Sequence, residues 1–163
     1  MPEASAWRVD NKKWSTRSFN GIGASLDGGR WNSTGIPVVY ASEHLAMAAH
    51  EKFVHLPRPL PRSSLYVKFG IRFGGLAVTR LGTVSLPPDW RAEPVPESTQ
   101  KIGDAWIAAA KTAILGVPSA LYPEETNYVL NPAHPDFPKI EIFTAEPFAF
   151  DPRMARLTEP GEA

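Results

Sequence analysis

Seventeen prolines spread along 163 residues keep the elements of this chain short. Proline fixes φ and removes a backbone donor, so it interrupts helices and central strands alike. The usage is roughly twice that of an average globular chain. Twelve glycines add further turn positions. Together they argue against a helical bundle. Hydrophobic residues still make up 43% and charged residues 21%, so the chain can bury a core and is not a disordered tail. Its length is that of one domain.

Charge and cysteine content narrow the function classes. Lys plus Arg equals Asp plus Glu at 17 each. A protein living on phosphate-backbone contacts carries a basic excess, so the balance argues against nucleic acid as the primary partner. There is no cysteine. That excludes a disulfide framework, a thiolate zinc site and a cysteine nucleophile. The start, Met1-Pro2-Glu3-Ala4-Ser5-Ala6-Trp7, has no basic region and no apolar stretch of signal-peptide type. The most apolar stretch, Ala105 to Val117, contains Lys111 and is too short to span a bilayer. These features lead us to expect a soluble, cytoplasmic protein.

The local pattern predicts an α+β domain. Trp7-Arg8-Val9 reads as a first strand, and residues 19–35 as a turn-rich segment without a helix. Pro37 to Ala41 is a β-branched and aromatic run expected to form a buried strand. Ser42 is placed as the N-cap of a helix to about Val54, with Leu45, Ala46, Ala49 and Phe53 as its core stripe. Leu65 to Phe73 alternates with period two and is the clearest strand. Leu76 to Leu81 is a further candidate. Thr99 to about Leu115 reads as a helix with Ile102, Ala105, Trp106, Ala109 and Ala113 facing inward, closed by Gly116. Short strands are expected at Ser119–Tyr122, Tyr128–Leu130, Ile140–Phe143 and Phe148–Phe150. Helices and strands do not alternate regularly, which argues against a doubly wound parallel sheet.

Several familiar motifs fail. A dinucleotide fingerprint starting at Gly21-x-Gly23 would need glycine or alanine where Leu26 stands. No Walker A sequence is present. His50 and His55 are five residues apart, about 500° on a helix, so the rings diverge by roughly 140° and cannot share a metal. Ser119 lies in Val-Pro-Ser-Ala, which is not a nucleophile elbow. No suitably spaced acid orients His134 for a hydrolase triad.

Three segments remain. Gly28-Gly29-Arg30-Trp31-Asn32 sets a guanidinium beside adjacent glycines, a combination suited to phosphate or carboxylate but also to an ordinary turn. Tyr40-Ala41-Ser42 ends a buried strand, and Glu51 follows at the edge of the next helix's apolar stripe, where a half-buried and a solvated carboxylate are equally compatible. Gly116-Val117-Pro118-Ser119-Ala120 is followed by Asn127-Tyr128-x-x-Asn131-Pro132-x-His134-Pro135, polar loop residues that need partners or serve as caps.

Taken in order, Gly-Gly-Arg-Trp-Asn, Val-Val-Tyr-Ala-Ser, a helix carrying a Glu, Ile102-Gly103-Asp104-Ala105-Trp106, Val-Pro-Ser and Asn-Tyr-x-x-Asn-Pro-x-His-Pro resemble the RES domain family. The resemblance runs from Trp7 to about Arg153, within a single domain spanning 1–163. The family is named for an Arg, a Glu and a Ser, which fall on Arg30, Glu51 and Ser119; its tyrosine falls on Tyr40. The resemblance implies a compact α+β fold similar to ADP-ribosyltransferase toxins, with short mixed or antiparallel strands and a few helices. It also implies a bacterial toxin paired with an Xre-type helix-turn-helix antitoxin that covers the cleft. The chemistry implied is on NAD⁺, which is consumed as a substrate, with no resident cofactor and no metal.

Cleavage at the nicotinamide ribose passes through an oxocarbenium-like state, as in glycoside hydrolysis. Such a site needs a cation for the pyrophosphate, for which Arg30 and secondarily Arg8 are candidates. It needs an aromatic face, for which Tyr40 and Trp31 are candidates. A carboxylate, Glu51, would stabilise the developing positive charge. Ser119 and Asn127 would bind the carboxamide, a ribose hydroxyl or Glu51 itself. Water, phosphate or a protein side chain could accept the ADP-ribose, with NAD⁺ degradation the first reading and ADP-ribosyl transfer the second. A non-catalytic binding module is a third reading. A fourth is an interaction domain docking an SH3-like partner through Pro57–Pro61, helped by Arg58 and Arg62.

Overall fold

The computed structural model describes residues 3–57 and 65–156. The proline run with Arg58 and Arg62 falls, beyond Pro57, outside the described residues. Among the described residues eight strands form one curled sheet. They are β1 (Ala6–Asn11), β2 (Val39–Ser42), β3 (Tyr66–Arg72), β4 (Val78–Arg80), β5 (Ile114–Pro118), β6 (Thr126–Leu130), β7 (Glu141–Ile142) and β8 (Glu146–Phe148). The strand order is β4-β5-β6-β2-β1-β3-β7, and β8 also pairs with β3. Among the described residues only β4 and β5 pair in parallel; the other pairs are antiparallel. The fold is therefore α+β, as the irregular alternation of elements predicts.

Among the described residues four α-helices accompany the sheet: α1 (Ile22–Asp27), α2 (Leu45–Val54), α3 (Glu97–Ala109) and α4 (Pro152–Arg156). Strand alternation divides the core. One sheet face carries Ala6, Val39, Ala41, Ile71, Ile114, Tyr128 and Leu130, packed with Phe73 and Ile140. On the other face α3 brings Trp106 against Leu115, Val117 and Val129, with Trp31 and Val38. On that second face, toward β1 and β3, α2 packs Ala48 against Val9 and Tyr66. The strip between α2 and α3 is formed by β2 and β6. It presents Tyr40 and Ser42 opposite Val129 and Asn127.

Several local expectations are corrected. A helix does occupy residues 22–27, although it is one short segment between Gly21 and Gly28 at left-handed φ. Helix α2 starts at Leu45 with His44 as N-cap, because the Ser42 hydroxyl is held by Asn127 instead. Its buried residues are Met47, Ala48, Ala49 and Phe53; Ala46 is exposed. Helix α3 ends at Ala109, not near Leu115. Ala110 takes a left-handed conformation, and its amide closes the last turn on the Trp106 carbonyl at 3.1 Å. The apolar run after it is a fully buried central strand, which a helical wheel cannot distinguish from a helix. Gly116 is therefore a strand residue, and Ala105 and Ala109 face outward. Ser119–Tyr122 is a turn after that strand, not a strand. The strand expected at Phe148–Phe150 ends at Phe148 instead of beginning there.

Candidate active site

The central feature is a carboxylate held by neutral donors. Glu51 lies on α2, and its Oε1 accepts hydrogen bonds from Ser119 Oγ at 2.8 Å and Asn127 Nδ2 at 2.6 Å. Each donor is itself oriented. The Ser119 hydroxyl accepts from the amides of Leu121 at 3.1 Å and Tyr122 at 3.4 Å. A hydroxyl has one proton, so filling its acceptor side directs that proton at Glu51. The Asn127 Oδ1 accepts from the Ser42 hydroxyl at 2.7 Å, which turns the amide nitrogen toward Glu51. Ser119 is fully buried and Glu51 half-buried. Among the described residues no hydrogen bond reaches Glu51 Oε2 and no cation forms an ion pair with Glu51. Of the three partners considered for Ser119 and Asn127, the structure shows Glu51.

Tyr40 stands two residues before Ser42 on β2, so both side chains project from the same face, about 7 Å apart along the strand. Its hydroxyl donates to Asn32 Oδ1 at 2.6 Å and accepts from the Trp31 amide at 3.0 Å. Burial pushes this phenol well above its ordinary pKa. The nearby Asp104 adds to the rise, while the Trp31 amide and Arg30 oppose it. The phenol is thus a neutral donor and acceptor at physiological pH. Asn32 has no exposed surface and is fixed by the carbonyls of Ala24 at 3.0 Å and Ile36 at 2.9 Å.

The turn bearing Arg30 is clamped by α3. A Cβ at Gly103 would lie 1.7 Å from the Trp31 carbonyl oxygen, so the helix can approach only as glycine. Asp104 then accepts from the Ser33 amide at 2.9 Å, and Gln100 donates to the Gly29 carbonyl at 3.1 Å. A Cβ at Gly29 would meet the Tyr40 hydroxyl at 2.6 Å. The Gly-Gly-Arg-Trp-Asn run and Ile102-Gly103-Asp104 are therefore two halves of one packing unit. The Arg30 guanidinium donates to the carbonyls of Trp90 at 2.8 Å and Ala92 at 3.0 Å, and pairs with Glu93.

The two secondary binding candidates lie differently. Trp31 is 3% exposed and packs in the core beneath α3; it meets Tyr40 through its backbone amide. Arg8 alternates to the sheet face opposite Trp7, whose partner is Ser42. Its guanidinium donates to Ser18 at 2.8 Å, the Tyr40 carbonyl at 2.9 Å and Asp10 at 2.9 Å. It bridges β1 and β2 where they part. Burial lowers its pKa, and Asp10 works against that shift.

Sequence reasoning assigned no role to Ser42 beyond capping, and none to Asn32, Gly103 or Asp104. Alternation along β2 carried the signal for Ser42, since it shares a face with Tyr40. Two surface hollows, about 670 Å³ beside Ser5, Glu43 and Tyr128 and about 260 Å³ beside Arg80 and Gly116, include none of Arg30, Tyr40, Glu51 or Ser119. Tyr128 and Gly116 belong to the opposite sheet face. Among the described residues no group of three or more His, Asp or Glu is placed to hold a metal ion.

Known proteins resemble this chain in sequence and in fold. The Prs ADP-ribosylating toxin of Sphingobium sp. (strain YBL2) is 38% identical over 156 residues, covering 93% of this chain and 97% of the relative. Toxin Res of Yersinia enterocolitica is 32% identical over 150 residues, covering 91% and 97%. The fold resembles a chain in the crystal structure of the M. tuberculosis MbcT–MbcA toxin–antitoxin complex. The TM-score is 0.65 at 19% identity, covering 96% of this chain and 88% of that one. The RES domain model matches residues 5–151, nearly the whole chain, and the chain belongs to the RES domain family.

Proposed function

We propose that this chain is a toxin that cleaves the nicotinamide–ribose bond of NAD⁺. The observation that carries the reading is the Glu51 carboxylate, oriented by Ser119 and Asn127 through one oxygen only. In the proposed step the bond between the anomeric carbon and the pyridinium nitrogen breaks, and its electron pair leaves with neutral nicotinamide. The ribose becomes oxocarbenium-like, and the negative charge of Glu51 stabilises it. An acceptor oxygen or nitrogen then bonds to the anomeric carbon and loses its proton. Ser119 and Asn127 keep the carboxylate in place and need not touch the substrate. Tyr40, as a neutral phenol, supplies an aromatic face. Arg30 holds the pyrophosphate. Arg8 and Trp31 support the site from within the structure, since their side chains are committed elsewhere.

Hydrolysis or phosphorolysis would deplete NAD⁺. A second reading, transfer of ADP-ribose to a protein, is favoured by the name of the Sphingobium relative. A cognate antitoxin, of the Xre helix-turn-helix type by family resemblance, is the proposed partner; the structural neighbour was itself solved with an antitoxin. The cytoplasm, where NAD⁺ is available, is the proposed place of action. Among the described residues no helix is long and apolar enough to cross a membrane.

The test is incubation of the purified chain with NAD⁺, with and without phosphate, and with and without cell lysate. Nicotinamide release without lysate supports degradation, and the second product names water or phosphate as acceptor. Release only with lysate, with ADP-ribose appearing on protein, supports transfer. No release in any condition from a folded sample free of antitoxin contradicts the proposal.

A further inference from the structure

Residues 90–93 form a strap across the candidate site. The Trp90 and Ala92 carbonyls hold Arg30. Arg91 reaches the other way and donates to the Ala120 carbonyl at 2.9 Å, in the turn that follows Ser119. Glu93 places its carboxylate on the remaining terminal nitrogen of Arg30. The Arg30 side chain is 13% exposed, whereas that of Glu93 is 70% exposed. The two carbonyls are backbone and fix the guanidinium. The carboxylate belongs to an exposed side chain, so it has room to rotate away without moving the strap.

We infer that Glu93 is a tethered competitor for the anionic group of the substrate at Arg30, and so sets substrate affinity. The inference rests on the reading of Arg30 as the group that holds the pyrophosphate. Carboxylate and phosphate oxygens compete for the same planar guanidinium donors. A dinucleotide pyrophosphate carries more charge and displaces Glu93, while the carbonyls of Trp90 and Ala92 keep Arg30 in position. The displaced carboxylate faces water, so its release costs little.

The test uses the full chain and inorganic pyrophosphate, with binding followed by calorimetry. Glu93→Gln is expected to bind pyrophosphate about two- to five-fold more tightly than wild type, the scale of an exposed ion pair. Its KM for NAD⁺ should fall by the same factor with kcat unchanged. Glu97→Gln removes the same charge from an exposed pair with Lys101 and is expected to leave affinity unaltered. In an Arg30→Ala background the gain from Glu93→Gln should vanish. Equal or weaker binding by Glu93→Gln, an equal gain from Glu97→Gln, or no pyrophosphate binding by any variant would overturn the inference. If the pyrophosphate results hold but no variant releases nicotinamide, the anion site stands and the NAD⁺ reading falls. If nicotinamide release depends on Arg30 but Glu93→Gln changes neither KM nor pyrophosphate affinity, the NAD⁺ reading stands and the competitor role falls.

Discussion

Asp10 and Glu51 are carboxylates on neighbouring elements with opposite surroundings. Asp10 is saturated. Its Oδ1 accepts from Lys52 at 3.1 Å and the Asn11 amide at 2.8 Å; its Oδ2 accepts from Arg8 at 2.9 Å and Ser18 at 2.7 Å. Glu51 receives two neutral donors on one oxygen and no cation among the described residues. A carboxylate neutralised by two cations has little field left for a reacting centre. One that is oriented but not neutralised keeps its charge for a cation arising beside it. In the proposed function the first carboxylate holds the fold and the second acts on the substrate. Lys52 links them, since it follows Glu51 on α2 and ties the helix to β1.

Exchanging each acid for its amide separates the two carboxylates most clearly. Glu51→Gln should lower NAD⁺ turnover by about 10³-fold, near 4 kcal/mol of transition-state stabilisation, with the melting temperature nearly unchanged. Turnover near wild type in that variant would remove Glu51 from the chemistry. Asp10→Asn should do the reverse and cost about 3 kcal/mol of stability, because Arg8 and Lys52 lose their counter-charge inside the protein. Urea unfolding measures that loss.

The pH dependence sharpens the same contrast. Burial pushes the Asp10 carboxyl up, but Arg8, Lys52 and Ser18 together bring it below its usual value. A carboxyl depressed in the folded state stabilises the fold above its unfolded pKa. That contribution is lost as the pH falls through its folded pKa. Wild type should therefore lose stability on the acid side, below about pH 4, and Asp10→Asn should lack that part of the loss. Parallel acid unfolding curves would contradict the assignment.

How much of this was legible in sequence follows from what each signal encodes. Period-two alternation located β3, and the β-branched run located β2, because strand faces repeat over short spans. The end of α3 was misplaced because a fully buried central strand shows no periodicity, and Ala110 takes the left-handed position in place of a glycine. Arg30, Tyr40, Glu51 and Ser119 were singled out from their neighbours and from the family pattern. The bond from Ser119 to Glu51 spans 68 residues and needs the sheet register to be seen. Asn32 under the Tyr40 hydroxyl, and Gly103 against Trp31, are tertiary facts that no local pattern carries.

Smaller effects probe the groups around Glu51. Ser119→Ala should lower turnover about ten-fold, near 1.4 kcal/mol, by freeing the carboxylate from one of two restraints. A loss as large as that of Glu51→Gln would make the serine a reacting group. Tyr40→Phe should cost about 1 kcal/mol of stability, since the Trp31 amide loses its acceptor and Asn32 its donor. No change in urea midpoint would show that water replaces the hydroxyl fully.

The most direct measurement pairs nicotinamide release with thermal unfolding on the same samples of wild type, Glu51→Gln and Asp10→Asn. The expected result is a crossed pattern: Glu51→Gln folded and inactive, Asp10→Asn destabilised but active per folded molecule. Active Glu51→Gln, or loss of activity in both variants in proportion to lost folding, would contradict the distinction between a structural and a reactive carboxylate.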